Sequence, residues 1–243
     1  MARPKGRFLP RPIIACANCF DIRGNFQMKV GNIKYTDTSM IDSDYTEKMN
    51  REYNWMAKGY GFFMTVFPLW KKWIKEIIPH IKGKKILEVS FGNGYLMTQY
   101  ARDDLNIYGI DYNEKMLEIA SNKMLSKRIS AKLSKANVEG LPFPDNTFDT
   151  VINTMAFTGY PDGDKAMSEL KRVLKKGGTL LLVDFDYPED RNLKGSLIVR
   201  LWEKLGDIIK DINSLLVKYG FDYKDLPVGG FGSVHLFIAI KNQ

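Results

Sequence analysis

Short apolar runs alternate with segments of helical periodicity through the chain after residue 84. The runs predict strands at 86–89, 106–111, 148–153, 179–185 and 236–241, with a shorter, more polar strand at 130–136. Apolar residues recurring every three or four positions predict helices at 95–102, 113–124, 164–174 and 197–219. Strands that alternate with helices predict a parallel sheet covered on both faces, which is a doubly wound α/β fold.

The first part of the chain lacks this alternation. Residues 1–58 begin with proline and arginine, and weaker signals predict a hairpin at 26–35 and a helix after Asp42. We interpret 1–58 as an N-terminal extension or lid and 59–243 as the main domain.

Aromatic and basic residues dominate the segment that joins these two parts. Residues 60–70 are dense in aromatic side chains, and 71–81 follow as an amphipathic helix with Trp73 and Ile77 on its apolar side. Packing on the sheet is the simpler interpretation. The alternatives are an apolar wall over a substrate pocket and a surface that touches lipid.

Composition places the chain among globular proteins. It has 243 residues, of which 44% are hydrophobic and 12% aromatic, and a formal charge of +8. We interpret the lysines as a solvated surface, with an anionic partner as the alternative. No apolar run reaches about 18 residues, so we expect no membrane span. The basic start leads into Pro10 and Pro12 instead of an apolar leader, so we expect a cytoplasmic protein.

Cys16 and Cys19 are the two cysteines and form a C-x-x-C pair. A zinc site needs four ligands, and the two histidines, His80 and His235, lie far away in sequence. We favour two reduced thiols and no metal site over a redox pair or a zinc site shared within a homodimer.

A glycine loop follows the first strand of the alternating region. Gly92 and Gly94 lie between this strand and a predicted helix, an order that presents backbone N–H groups to a cofactor. The spacing does not fit the dinucleotide pattern G-x-G-x-x-G, because Met97 stands at the third glycine position. Glu88 would repel a pyrophosphate, yet it suits hydroxyl groups or a positive charge.

Asp111 ends the next strand, about twenty residues further on, where a doubly wound fold places the carboxylate that binds ribose hydroxyls. Two vicinal hydroxyls offer two donors, which matches a carboxylate. A lone aspartate at a strand end is often a cap, but its spacing from Gly92 favours a role in cofactor binding.

Four blocks of sequence, in order, resemble class I S-adenosylmethionine (SAM)-dependent methyltransferases. They are I-L-E-V-x-x-G-x-G at 86–94, G-I-D at 109–111, L-P-F-P-D-x-T-F-D at 141–149 and E-L-x-R-V-L-K-x-G-G-T-L-L-L-V-D-F at 169–185. Within this class, the sequence resembles the branch that includes the ubiquinone and menaquinone biosynthesis enzymes. The resemblance is good over residues 84–185 and loose in the C-terminal strands. The resemblance implies a Rossmann-like, mostly parallel sheet of the class I methyltransferase type, with SAM as cofactor.

The resemblance also implies roles for single residues. Gly92 and Gly94 would let the backbone pass close to the methionine part of SAM, and Glu88 would face its cationic side. Asp111 would hold the ribose. The other implied positions are Tyr112 and Met116 beside the adenine, Asn137 and the Val138 backbone on its edge, Asn153 and Thr154 near the methyl group, and Tyr60 from the N-terminal side.

Three positions depart from the family's pattern. Ser90 stands where the family usually has glycine, Asn137 where it has aspartate, and Phe91 where it has a small residue. Ser90 would either crowd the loop or bond the cofactor carboxylate through its hydroxyl. The Asn137 amide oxygen can still accept from adenine.

Methyl transfer from a sulfonium is an in-line displacement that alignment accelerates, so we expect no catalytic triad. The base candidates are Asp184, Asp186 and Tyr187, although Asp184 is equally suited to capping. We interpret His235 as structural.

For the acceptor, we predict a small, partly apolar molecule. The motif for adenine or glutamine amino methylation does not follow Asn153, and neither cysteine lies in the core, as cytosine methylation would require. The alternatives are RNA or protein methylation, motivated by the charge of +8, and SAM binding without catalysis, motivated by Ser90 and Asn137. A nicotinamide-dependent dehydrogenase is disfavoured by the missing third glycine.

Overall fold

The computed structural model describes residues 69–204 and 208–242, and elements are numbered here from residue 69. Several predictions from the sequence lie outside the described residues. These are the extension 1–58 with its hairpin and helix, the boundary at 58/59, the Cys16/Cys19 pair and Tyr60.

Seven strands within the described ranges form one mixed sheet. They are β1 Lys85–Val89, β2 Asn106–Asp111, β3 Ala131–Lys135, β4 Phe148–Thr154, β5 Leu174–Phe185, β6 Phe221–Gly229 and β7 Val234–Lys241. Their order across the sheet is β3-β2-β1-β4-β5-β7-β6. The first five pair in parallel, whereas β7 is antiparallel to β5 and β6. The predicted doubly wound, mostly parallel fold is therefore confirmed.

Helices and short 3₁₀ turns connect the strands. The described helices are α1 Leu69–Lys75, α2 Met97–Tyr100, α3 Glu114–Lys127, α4 Gly163–Val173, α5 Leu193–Lys204 and α6 Ile212–Lys218. The 3₁₀ turns are Ile78–His80, Val138–Gly140, Phe157–Gly159 and Gly230–Gly232. None of the helices in the described ranges has the length and apolar character needed to cross a lipid bilayer.

Both faces of the sheet are buried, which explains why its central strands are apolar throughout. In β5, Leu180 and Leu182 belong to one apolar cluster, with residues of α4 and α6, whereas Leu181 belongs to a second cluster, with residues of α1 and α3. Successive side chains of a strand point to opposite faces, so a strand covered on both sides needs apolar residues at every position.

The segment 197–219 forms parts of two helices and not the single helix that its periodicity predicts. α6 begins after Asp211, whose carboxylate accepts from the Ser214 N–H at 2.8 Å. A capping aspartate starts a new helix, because it binds an N–H group that a continuous helix would already use. The apolar stripe also divides, since Leu201 on α5 is exposed and Leu216 on α6 is buried.

Other boundaries differ in smaller ways. The predicted helix at 71–81 ends at Lys75, before a 3₁₀ turn that contains Pro79, and the one at 95–102 is limited to α2. β5 begins five residues earlier than predicted, and its pairing with β4 shifts between Leu174 and Thr179. Gly177, inside that irregular stretch, has φ of +72°, which a glycine adopts without steric cost.

Candidate functional site

A cavity of about 190 Å³ opens where the parallel strands β1 to β4 end. β1 and β4 are neighbours, and the order of strands reverses between them. In open α/β sheets, ligands bind at such a reversal, at the carboxyl ends of the strands. The described lining is 88, 90–93 and 95–96 around β1, 111–113 and 116 after β2, 136–138 after β3, 154–156 and 159–161 after β4, and 70 and 74 in α1.

The two glycines of the loop after β1 have different tasks. Both have positive φ, +54° at Gly92 and +69° at Gly94. A Cβ at Gly92, which lines the cavity, would meet nothing within 4 Å. At Gly94 it would lie 3.0 Å from the Ala120 side chain and 3.1 Å from that of Met124. Gly92 therefore leaves room for a ligand, whereas Gly94 allows the loop to pack against α3.

Asp111 connects the end of β2 to this loop. One carboxylate oxygen accepts from the Gly92 N–H at 2.8 Å, and the other accepts from the Asn113 N–H at 2.8 Å. The side chain lines the cavity, so each oxygen keeps room for a further donor. Burial raises the pKa of Asp111 to about 6, against the two N–H groups, which lower it.

Glu88 is the second acid of the cavity. Its side chain is 1% exposed and accepts from the Tyr100 hydroxyl at 3.0 Å. Burial raises its pKa to about 8; the Tyr100 bond lowers it and the charge of Asp111 raises it further. None of the ion pairs between described residues includes either acid. The pair therefore suits a ligand that brings hydroxyl groups and a positive charge.

The loops after β2 and β3 form the opposite wall. Asn137 lines the cavity, and its amide oxygen accepts from the Glu139 N–H at 3.0 Å, which caps the 3₁₀ turn that follows. Val138 lies beside it. Tyr112 is 39% exposed and Met116 is buried, and both line the cavity from the side of α3. An amide, a backbone edge and two flat or flexible apolar side chains make a surface suited to a purine.

Ser90 lies at the start of the glycine loop with φ of +54°. Its hydroxyl is 2.7 Å from the Tyr160 hydroxyl, and the Asn153 amide donates to Tyr160 at 2.5 Å. Asn153 is fully buried and, like Gly94, does not line the cavity, whereas Ser90 and Tyr160 do. Burial raises the pKa of Tyr160, so its hydroxyl keeps its proton.

Asp184 is buried in β5 and does not line the cavity. Its carboxylate accepts from five donors at 2.6 to 3.2 Å: the N–H groups of Ala156, Phe157, Thr158 and Phe185, and the Thr158 hydroxyl. It therefore holds the 3₁₀ turn after β4, which carries part of the cavity wall. Burial raises its pKa, and these donors lower it.

The other base candidates also lie away from the cavity lining. Asp186 accepts from the Tyr187 N–H at 2.6 Å, and the Tyr187 hydroxyl donates to Glu203 at 3.1 Å. His235 is buried, with Nδ1 2.7 Å from an Asp225 carboxylate oxygen. Among the described residues that line the cavity, the only carboxylates are Glu88 and Asp111.

Apolar side chains close the remaining side. Trp70 and Ile74 of α1 line the cavity together with Tyr95, whose ring is 5.5 Å from that of Trp70. Sequence reasoning proposed a wall from the aromatic segment but did not single out Tyr95 or the contact between Ser90 and Tyr160. The only signal for Tyr160 was its place in a loop after the fourth strand.

The strand order, the antiparallel β7 and the cavity at the strand reversal together define the class I methyltransferase fold. Residues 87–182 match a family model described as a methyltransferase domain. This part of the chain is thus similar to that domain family, and its resemblance to SAM-dependent methyltransferases is confirmed.

Individual proteins agree with this result. A ubiquinone/menaquinone biosynthesis C-methyltransferase of Teredinibacter turnerae is 33% identical over 131 residues, 52% of this chain and 53% of that protein. One of the same description from Shewanella baltica is 32% identical over 154 residues, 60% of this chain and 61% of that protein. The chain thus spans between half and two thirds of the length of these relatives.

A solved structure supports the fold. The SAM-dependent methyltransferase of Thermotoga maritima, described as a possible histamine N-methyltransferase, superposes with a TM-score of 0.64 at 18% identity. The match covers 78% of this chain and 98% of that one. At this identity the likeness concerns the fold alone.

Proposed function

We propose that this protein is a SAM-dependent methyltransferase acting on a small, partly apolar acceptor. The observation that carries the proposal is the position of Asp111. It fixes the Gly92 N–H with one oxygen while it lines a cavity at the strand reversal. A carboxylate held in this way can accept from a ribose without moving.

The residues of the cavity fit this cofactor. Gly92 leaves open space where a ligand has to approach the backbone. Asp111 would hold the ribose hydroxyls, and Asn137 with Val138 would bind the adenine edge. Glu88, without a cationic partner among the described residues, would face the positive charge. When bound, SAM supplies an electrophilic methyl group on a sulfonium.

The protein's share of the chemistry is alignment. Methyl transfer requires the acceptor atom, the methyl carbon and the sulfur in one line, and holding them there supplies much of the acceleration. The walls from Trp70, Ile74 and Tyr95 would seat the apolar part of an acceptor and exclude water. No base is assigned among Asp184, Asp186 and Tyr187, because none of them lines the cavity.

The relatives' descriptions support an acceptor of small-molecule type, since both name C-methylation in quinone biosynthesis. We propose a ring or chain of comparable apolar character for this protein. A cytoplasmic location and a homodimer stay predictions from the sequence, and light scattering after size exclusion tests the second.

Calorimetry with SAM and with its demethylated product tests cofactor binding. Both should bind the wild type with one site per chain, and Asp111→Ala should weaken both. Asp104→Ala is the matched control, because Asp104 is exposed and, among the described residues, pairs only with Arg102. Absence of binding to the wild type would refute the proposal.

Transfer is tested separately with isotopically labelled SAM. The purified protein is incubated with a small-molecule extract and with an RNA and protein fraction, and mass spectrometry locates the label. Label in a small molecule supports the proposal, whereas label in the macromolecular fraction supports the alternative acceptors. Binding without label in either fraction indicates a SAM-binding protein that does not catalyse transfer.

A further inference from the structure

Ser90 occupies a backbone conformation that favours glycine. Its φ of +54° lies in the left-handed region, where a Cβ is unfavourable. The Ser90 N–H donates to the Ile110 carbonyl at 2.8 Å, so the adjoining strand fixes this conformation. A side chain retained at such a position is expected to make an interaction that glycine cannot make.

The hydrogen bonds around Ser90 define the direction of its proton. The Asn153 amide is assigned with its nitrogen 3.3 Å from the Val89 carbonyl oxygen, because an amide oxygen there would face a second acceptor, and this assignment leaves the buried amide oxygen without a partner among the described residues. The same nitrogen donates to the Tyr160 oxygen. Tyr160 is buried, so its own proton needs an acceptor, and Ser90 Oγ at 2.7 Å is the one that the described residues provide.

The Ser90 hydroxyl oxygen consequently accepts from Tyr160, and the Ser90 proton points away from Tyr160. Because Ser90 lines the cavity, that proton is available to a ligand. Asn153 therefore donates to Tyr160, Tyr160 donates to Ser90, and the Ser90 hydroxyl donates into the cavity.

We propose that Ser90 donates this hydrogen bond to the carboxylate of the methionine part of SAM, with Tyr160 and Asn153 as positioning residues. The inference rests on the proposed function. It assigns a specific contact to the position at which this chain departs from the glycine of related loops.

The chemistry of the cavity favours the carboxylate among the acceptors that SAM offers. The ribose hydroxyls need acceptors, which Asp111 supplies, and the adenine edge faces Asn137 and Val138. No lysine, arginine or histidine lies among the described residues that line the cavity. A carboxylate bound there has no cationic partner among these residues and shares the cavity with the acids Glu88 and Asp111, so an oriented neutral donor favours its binding.

The test compares SAM with decarboxylated SAM, which lacks only the carboxylate, by calorimetry. Ser90→Ala should lower the affinity for SAM by about tenfold and change that for decarboxylated SAM less than twofold. Tyr160→Phe should produce a smaller loss with the same ligand preference, because the Ser90 proton is no longer directed. Asp104→Ala should change neither affinity.

Ser90→Gly separates the hydrogen bond from the backbone conformation. Glycine relieves the positive φ but also lacks the hydroxyl, so its binding should match that of Ser90→Ala, and it serves if the alanine variant does not fold. Equal losses for both ligands, or no loss for either, would overturn the inference. Failure of the wild type to bind SAM would instead refute the proposed function, which keeps the two results distinct.

Discussion

Asp111 and Asp184 are two buried aspartates in parallel strands of the same sheet, yet they serve different ends. Asp184 accepts from five protein donors and does not line the cavity. Asp111 accepts from two backbone N–H groups, one on each oxygen, and lines it. The comparison teaches that burial alone does not identify a binding carboxylate. A binding carboxylate is distinguished by oxygen atoms that can still accept hydrogen bonds from a ligand.

The largest expected effect comes from removing the carboxylate of Asp184, which accepts from five protein donors. Asp184→Ala should lower the free energy of unfolding by about 3–5 kcal/mol, because several buried donors lose their acceptor at about 1–3 kcal/mol each. Urea unfolding followed by circular dichroism measures this change. Asp104→Ala is the exposed control, and a loss below about 1 kcal/mol for Asp184→Ala would contradict the structural role.

Removal of the Asp111 carboxylate, which faces the cavity, should weaken ligand binding. Asp111→Ala should weaken SAM binding by about 1.5–3 kcal/mol, since the ribose loses a charged acceptor. Its effect on unfolding should be smaller than that of Asp184→Ala, because fewer donors are left without a partner. Calorimetry and urea unfolding are measured on both variants. A larger loss of stability in Asp111→Ala than in Asp184→Ala would contradict the distinction between the two aspartates.

Glu88 extends the comparison to pH. Its pKa in the folded protein is about 8, above its ordinary value of 4.5, so the folded state holds more protons between these values. The free energy of unfolding should therefore fall as the pH rises through this range. A cationic ligand favours the carboxylate, so SAM affinity should rise over the same range, by about tenfold for each unit by which SAM lowers the pKa.

Glu88→Gln provides the control, because glutamine does not titrate. Both slopes should become shallower in this variant, most clearly above the pKa of about 6 of Asp111, which also contributes at lower pH. The demethylated product, which lacks the sulfonium, should show the weaker pH dependence in the wild type. A slope in SAM affinity that is unchanged in Glu88→Gln would assign the titration to another group.

The smallest effect concerns the backbone of the loop. Ser90→Gly should change the free energy of unfolding by less than about 1 kcal/mol, since glycine removes a steric cost of about 1–2 kcal/mol at positive φ but leaves the buried Tyr160 proton without its acceptor, at about 1–3 kcal/mol. The same urea experiment measures it. A destabilised variant would mean that the bonds of the Ser90 hydroxyl outweigh the unfavourable conformation.

The parts of the fold that sequence predicts are those determined locally or by apolar content. Strands β1, β2 and β4 were predictable because burial on both faces makes them continuous apolar runs. β6 was not, because it is an edge strand with alternating exposed polar residues such as Asp222 and Lys224. Its existence depends on pairing with β7, which is a non-local contact.

The site divides in the same way. Asp111 and Gly92 were predictable because their roles follow from their spacing around two consecutive strand ends. The bond between Ser90 and Tyr160 joins positions 70 residues apart and depends on the register of β1 against β4. The hydrogen bonds that Asp184 accepts likewise depend on donors in a turn outside its own strand. Neither pattern is visible in a local window of sequence.

The turn held by Asp184 also has a consequence for the thermodynamics of binding. Four hydrogen bonds to Asp184 of β5 keep this part of the cavity wall in place whether or not a ligand is present. Ordering a loop on association consumes part of the favourable interaction energy. A wall anchored to a central strand avoids that entropic loss, so its contacts with the ligand contribute their full strength.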